Sequence, residues 1–564
     1  MKRYISLLLI LCVLLSLTTS CGGSASEYAP SPDMTENADE AMPESVEDAA
    51  PSMDYDTEAP TTEEMENFAM EAGEIPPMGD TRPNPATGGD GMESGEYVDS
   101  TEEYDDSPET GFLSSKTSPL STFSADVDTA SYSNMRRQLN YGDMPQGVRI
   151  EELVNYFGYD YEPPAYDSEV PFSVTTEISQ CPWNSDNALA MIGIQGKRLN
   201  SVSKISNNVV FLIDVSGSMH GENKLELLKE SFKMLLNNFD KDDIISVVTY
   251  SGESSVLADS VTGNQKGELS RIINNLQAGG STSGYDAIEN AYALAEKNFI
   301  KNGNNRIILA SDGDFNVGMS SEEELQALVE TKRNGGIYLS VLGFGMGNLK
   351  DSKMETLAQN GNGNYAYIDT MSEARKVLVD EFDSTMFVLA KDVKFQVEFN
   401  PGVVAEYRLI GYNNRRLENK DFDDDTKDAG DIGSGHSVTA LYELVLVDSV
   451  DGIELKYQDA PKTTDGSEDY FTVKLRYKLI NDDESRLTEH VAGKESFTMT
   501  PSTDFEFASS VAEFGHIVTN SEYKANASLN SVITRASDSM GNDEYGLRAE
   551  FVEDIVKQYE SLFG

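Results

Sequence analysis

The run Val209-Val210-Phe211-Leu212-Ile213 leaves no polar position to face water, which predicts a strand buried on both faces. The period then changes. Leu225, Leu228, Phe232, Leu235 and Leu236 recur at helical spacing and predict one helix from Lys224 to Phe239. Ile244 to Tyr250 reads as the next strand, Ser255 to Asp259 as a short edge strand, and Glu268 to Leu276 and Tyr285 to Phe299 as helices. Arg306 to Ala310, Tyr338 to Phe344 and Tyr365 to Ile368 read as further strands. They are separated by helices at Ser321 to Arg333 and Met354 to Gln359, and another helix, Ser372 to Phe382, follows. Strand and helix in turn predict an α/β fold with an open, doubly wound, mostly parallel sheet covered on both faces.

Beyond about Lys391 the apolar period falls to two, giving strands at Val393 to Phe399, Val438 to Val447 and Tyr470 to Leu479. Helices follow near Phe505 to Val518 and Leu547 to Leu562. Val170 to Glu177 and Leu189 to Gly196, ahead of the α/β segment, also read as strands. The expectation is that 165–200 and 388–500 form one β-rich body with the α/β domain inserted between its parts. Separate β domains are the alternative.

The end of the first buried strand carries the candidate chemistry. In Asp214-Val215-Ser216-Gly217-Ser218 a carboxylate and two hydroxyls sit at alternate positions where the chain turns. These are hard oxygen donors suited to Mg²⁺ or Ca²⁺, with no His or Cys within the motif itself to favour zinc or copper. Two later loops can add donors. Gly279-Gly280-Ser281-Thr282-Ser283-Gly284 precedes a helical pattern, and Ser311-Asp312-Gly313-Asp314 follows a strand. All three loops open at the carboxyl edge of a parallel sheet, where such folds bind ligands. The plain alternative is a strand-to-helix turn in which Ser216 or Ser218 caps a helix starting near Asn223.

D-x-S-x-S, a later Thr and a later Asp resemble the metal-ion-dependent adhesion site of von Willebrand factor A domains. The resemblance implies a Rossmann-like fold and assigns Asp214, Ser216, Ser218, Thr282 and Asp312 to one ion, Mg²⁺ or alternatively Mn²⁺ or Ca²⁺. It implies metal-bridged binding of an acidic residue on a protein partner, with no bond made or broken. The segments Leu120 to Tyr132, Arg136 to Asn140 and Arg149 to Phe157 resemble the region preceding the A domain in a family of bacterial envelope proteins. Tyr407 to Tyr412 and Asp428 to His436 resemble that family's carboxyl-terminal domain. The expected organisation is a signal peptide at 1–20, a disordered acidic linker at 21–117, and an amino-terminal family region, helical then β, at 118–205. An A domain at 206–387 and a β-rich domain with terminal helices at 388–564 complete it.

The amino end changes where this chemistry is placed. Lys2 and Arg3, the apolar stretch Ile5 to Leu17 and the small residues before Cys21 read as a secretory signal. The site resembles that of bacterial lipoproteins, which would leave Cys21 acylated. A soluble secreted protein with a chance Cys is the alternative. Of the three cysteines only Cys181 then remains, too few for an internal disulfide, and a packed thiol is expected there. Gly22 to Lys116 holds about 26 acidic residues against two basic ones, Arg82 and Lys116, and reads as a self-repelling tether reaching roughly 330 Å when stretched. The formal charge of −54 argues against nucleic acid and anionic lipid as partners. The expectation is a protein of the bacterial cell envelope that meets the membrane through the lipid anchor alone and faces outside the cytoplasm.

Other candidate sites read blandly. Asp421, Asp423, Asp424 and Asp425 lack the Gly and Glu of an EF-hand loop and read as a solvated acidic loop. Gly343-Phe344-Gly345-Met346-Gly347 lacks dinucleotide-loop spacing and reads as a strand exit. His436 reads as a structural hydrogen-bonder, since no nucleophile motif accompanies any of the four histidines. The sequence therefore predicts a non-enzymatic binding protein for adhesion or envelope assembly. A metal-dependent hydrolase and a scaffold with a purely structural ion are the competing readings.

Overall fold

A computed structural model describes residues 102–104, 108–125, 127–165, 167–198, 205–281, 284–313, 322–427, 429–447, 467–480, 482 and 484–564. The signal segment, Cys21 and most of the acidic linker lie outside the described residues, as do Thr282, Ser283 and Asp314.

The α/β segment forms a six-stranded sheet in the order Tyr365–Ile368, Tyr338–Phe344, Asn304–Ser311, Asn207–Asp214, Ile244–Ser251, Glu253–Thr262. All neighbours are parallel except the last pair, where Glu253–Thr262 runs antiparallel as an edge strand. Asn207–Asp214 and Asn304–Ser311 are buried at every position. Their side chains divide between two cores. Val209, Phe211 and Ile213 pack with Leu225, Leu228, Phe232 and Leu235, while Val210 and Leu212 pack with Ala287, Ile288, Ala291 and Ala295 of the helix Tyr285–Lys297. An apolar run with helices on both sides is the physical content of the doubly wound fold.

Two antiparallel sheets make the β-rich body. One has the order Leu113–Ser114, Val404–Ile410, Ser437–Leu446, Ala188–Gly196, Phe172–Gln180. The other has Ile432–Gly433, Val388–Phe399, Phe471–Leu479, Arg486–Ala492, with Leu120–Ser124 paired to Val388–Phe399. Their inner faces share one core containing Phe123, Ile192, Ile194, Phe395, Phe399, Tyr407, Tyr442 and Leu475. Ala188–Gly196 pairs with Ser437–Leu446, joining strands from either side of the α/β segment in one sheet. The α/β domain is thus an insertion, as the two-part pattern predicted. A helical layer of Ala130–Tyr141, Ile150–Asn155, Thr503–Val518, Leu529–Asp538 and the carboxyl-terminal helices packs around Trp183, Phe507, Phe514 and Phe551.

Several expectations are corrected. The acidic linker does not run to residue 117, because Leu113–Ser114 pairs with Val404–Ile410 and Glu102 bonds Arg137 at 2.9 Å. The amino-terminal region starts with β structure, since Leu120–Ser124 precedes the helices. The single helix expected over Lys224 to Phe239 is broken into a wide-turn segment, Glu222–Glu226, the α-helix Leu227–Leu235, and a tight turn, Leu236–Asn238. Lys224 itself is non-helical there, at φ −119° and ψ −108°. Ser372 to Phe382 is likewise divided, between Met371–Arg375, Lys376–Asp380 and Phe382–Met386.

Buried ion pairs join the layers. Arg149 reaches Glu152 at 2.5 Å and Asp351 at 2.8 Å, and Arg415 of the β-rich body reaches Asp128 at 2.8 Å and Glu355 at 2.7 Å. Asp351 and Glu355 belong to the α/β helix Asp351–Asn360, so four carboxylates from the amino-terminal region and the α/β domain share two guanidinium groups, one of them from the β-rich body. Burial pushes the Glu355 carboxyl up, against the pull of Arg149 and Arg415. Removing one partner strands buried charge, at about 3–5 kcal/mol. Arg149→Met should lower unfolding free energy by about that amount in urea titration, and a loss under about 1 kcal/mol would show that the network does not hold the layers together.

Candidate metal centre

Parallel register sets the first candidate ligand. Ile213 lies beside Ala310 and Asp214 beside Tyr250, so Asp214 leaves the sheet at its carboxyl edge next to Ser311. The Val215 amide donates to the Tyr250 carbonyl at 3.0 Å, and Ser216 is extended before the tight turn Gly217–Met219. The loop near residue 280 docks on this turn: the Gly279 amide donates to the Val215 carbonyl at 2.8 Å, and the Gly217 amide to the Gly280 carbonyl at 3.1 Å. Gly280 holds φ +86°, and a Cβ there would lie 2.3 Å from Ser251 Oγ, so only glycine fits. This docking carries the chain toward Thr282, itself outside the described residues.

The four described candidates come together. Ser216 Oγ and Ser218 Oγ are 2.9 Å apart, and Ser218 Oγ donates to Asp312 Oδ1 at 3.2 Å. Asp214 Oδ1 accepts from the Ser216 amide at 2.8 Å. Its Oδ2 accepts from Ser311 Oγ at 3.1 Å and from Tyr250 Oη at 3.2 Å. The donor set fits a small hard cation, because an octahedron with metal–oxygen bonds of about 2.0–2.1 Å has adjacent oxygens about 2.9 Å apart. Neither serine side chain caps the following helix, which removes the turn-capping alternative.

Charge points the same way. Asp214 and Asp312 are fully buried. Burial, reinforced by the negative charge of Asp312, pushes the Asp214 carboxyl up to about 6. A cation at this point offsets both effects.

One contributor escaped sequence reasoning. Lys224 Nζ donates to Asp312 Oδ2 at 2.8 Å and to the Ser218 carbonyl at 3.0 Å. Its non-helical backbone turns it inward, and the stem crosses Gly345, where a Cβ would come 2.3 Å from Lys224 Cγ. Gly345, at φ +70°, is thus a passage for the lysine rather than only a strand exit. A lone Lys opening an amphipathic helix carries no such signal. Tyr250 was also missed, since it reads as an ordinary strand residue, and Ser311, which reads as part of a donor-bearing loop, proves to support Asp214.

Cys181 is buried, and its thiol is pushed up by burial. Asp425 pairs with Arg476 at 3.1 Å and Asp423 lies 3.5 Å from the same guanidinium, while Asp421 closes a capping box, so the acidic loop is divided among cations and backbone. His436 accepts from the Gly196 amide through its carbonyl at 2.8 Å, and burial pushes its imidazole down to about 4. Asp128, Glu152 and Glu355 form a buried trio of metal-like spacing, but Arg149 and Arg415 hold it.

Residues 208–381 match the family described as von Willebrand factor type A domain, and 98–191 match that described as von Willebrand factor. Residues 384–562 match "Uncharacterized protein YfbK, C-terminal". The Escherichia coli (strain K12) protein named "Uncharacterized protein YfbK" is 41% identical over 447 residues, 78% of this chain and 77% of that one. The chain belongs to this bacterial von Willebrand factor A domain family. Inter-alpha-trypsin inhibitor heavy chain H3 of Bos taurus is 29% identical over 216 residues, 37% of this chain but 24% of its own length. The solved structure "von Willebrand factor type A from Catenulispora acidiphila" aligns with a TM-score of 0.41 at 14% identity, covering 68% of this chain and 91% of that one.

Lys224 offers a direct test of the site's electrostatics. Lys224→Met leaves Asp312 buried without its ammonium partner, and should destabilise the protein in EDTA by about 3–5 kcal/mol. Millimolar Mg²⁺ should restore most of that in parallel urea titrations. Equal loss with and without Mg²⁺ would show that no ion is drawn to these carboxylates.

Proposed function

We propose that this chain is a cell-envelope lipoprotein, anchored through Cys21, that binds a protein partner through a divalent cation in adhesion or envelope assembly. The observation that carries the metal site in this reading is that Ser216 Oγ, Ser218 Oγ and Asp312 Oδ1 form a hydrogen-bonded succession at the carboxyl edge of the sheet, with the Asp214 carboxylate held beside them by the Ser216 amide. Thr282 completes the ligand set in this proposal. The ion, Mg²⁺ in preference to Mn²⁺ or Ca²⁺, would supply a positive coordination position to an acidic side chain of the partner.

The residues present set the sign of the interaction. Asp214 and Asp312 contribute two negative charges and Lys224 one positive, so a divalent ion leaves the site with one net positive charge. An acidic side chain then gains both a metal bond and favourable Coulomb energy in a largely water-excluded edge. Tyr250 and Ser311 hold Asp214 in orientation through its Oδ2, and the hydroxyls of Ser216 and Ser218 would turn to the ion in this proposal. Binding on these terms involves no proton transfer or nucleophile, which is why a non-enzymatic role is proposed. The acidic segment after Cys21 would hold the folded part away from the bilayer.

Crosslinked pull-down from the native envelope separates the readings. Capture of a partner by the wild-type protein in Mg²⁺, abolished by EDTA and by Asp312→Ala, is the expected outcome. Capture indifferent to both would favour a scaffold with a purely structural ion. Metal-dependent turnover of phosphoesters or esters, lost in Asp312→Ala, would favour a hydrolase.

A further inference from the structure

The amino edge of the parallel sheet holds a second concave site, on the same central strand as the metal loops but at its other end. Arg306 is near the start of Asn304–Ser311 and roughly 17 Å along the strand from Ser311. Its side chain is 1% exposed. One terminal nitrogen donates to Ser340 Oγ at 2.6 Å and the guanidinium lies 5.5 Å from the Tyr338 ring centroid, yet Nε has no hydrogen-bond partner. Across a cavity of about 210 Å³ stands half-buried Arg416 of the β-rich body, whose Nε is buried and likewise without a partner. Neither arginine forms an ion pair among the described residues.

Two guanidinium groups enclosed with a single carboxylate, Asp431, which acts on Arg306 through its charge but forms an ion pair with neither, are an unusual arrangement. Burial pushes Arg306 down to about 10 and also lowers Arg416. The neighbouring arginine shows the contrast, since Arg415 is satisfied by Asp128 and Glu355. The acidic residue of the wall, Asp431, accepts from the Asn362 amide at 3.3 Å and from the Asp392 backbone at 3.2 Å. The remaining wall is rich in carboxamides and backbone, including Gln359, Asn360 and Asn364. Guanidinium forks match the planar or tetrahedral oxygens of an oxyanion, and amides suit hydroxyl groups. The cavity falls below the roughly 300–1,000 Å³ of drug-sized pockets, so its ligand is small.

The geometry points to a binding site for a small oxyanion on a hydroxylated carrier of about monosaccharide size, a sugar phosphate or a sugar acid, held between Arg306 and Arg416. The site is separate from the metal loops and does not depend on the proposed adhesion role. It draws its walls from both the α/β domain and the β-rich body, so a bound anion would tie the two together.

Calorimetry and thermal shift on the full folded chain, with glucose 6-phosphate, glucuronate, inorganic phosphate and neutral glucose as probes, test this. Saturable binding of at least one of the two anionic sugars, with glucose silent, is expected. Inorganic phosphate competing for the site would identify the oxyanion as the recognised group. Arg416→Gln should weaken binding by about tenfold or more, and Asp312→Ala should leave it unchanged. Should Arg416→Gln fail to fold, Gln359→Glu at the exposed rim sets a negative charge against the anion and should weaken binding severalfold. The proposal is overturned if no anionic probe saturates, if glucose binds as well as its anionic derivatives, or if a folded Arg416→Gln or Gln359→Glu protein binds as the wild type does.

Discussion

Two carboxylates buried side by side, Asp214 and Asp312, are the constraint around which this molecule is arranged. Asp214 ends one fully buried central strand, and Asp312 follows directly on its parallel neighbour, so the register of the two strands brings both to the carboxyl edge. Burial makes both charges expensive, and their proximity adds repulsion. The fold answers with directed partners: Tyr250, Ser311 and the Ser216 amide on Asp214, and Lys224 on Asp312. A single ammonium against two carboxylates leaves a deficit of one positive charge. The proposed cation makes up that deficit and turns it into a surplus that can be used for binding.

The rest of the chain fixes where this edge points. Arg136 of the helix Ala130–Tyr141 bonds Asp369 and Glu373 of the α/β domain and Glu550 near the carboxyl terminus. Arg149 and Arg415 repeat the device on the helix Asp351–Asn360. Hydrophobic cores alone would let the inserted domain slide over its neighbours, since apolar contacts are non-directional. Paired buried charges allow one arrangement at low energy, and they lie on both sides of the inserted domain's last strand. The inserted domain therefore meets its surroundings through specific bonds.

The sequence was legible where one force dominates. Apolar runs such as Val209 to Ile213 and the period-two strands on both sides of the insertion announced their sheets, because burial decides them. The candidate metal residues stood out for another reason: a carboxylate and hydroxyls at alternate positions after a buried strand, followed by a later Thr and a later Asp in strand-exit loops, make a pattern of their own, and four of the five lie together in the fold. What could not be read was decided by partners distant in the chain. Lys224 turns inward because Gly345, 121 positions later, leaves room for its stem. Asp128 and Arg149 stood within recognisable family segments, yet their chemistry exists only where Arg415 and Glu355 meet them. Leu120–Ser124 has too short and polar a pattern to declare itself a strand, and gains its partner only from Val388–Phe399. The helix breaks at Glu222–Glu226 and Lys376–Asp380 leave no trace in apolar spacing, which continues across them.

The central claim is that oxygens from separate loops share one cation. Crystals of the folded chain soaked in Mn²⁺ and measured at the manganese absorption edge test it most directly. The account predicts one dominant anomalous peak within about 2.5 Å of Ser216 Oγ and Ser218 Oγ, with Asp214 and Asp312 bound directly or through water. A peak among Asp128, Glu152 and Glu355 instead, or none at saturating Mn²⁺, would contradict it.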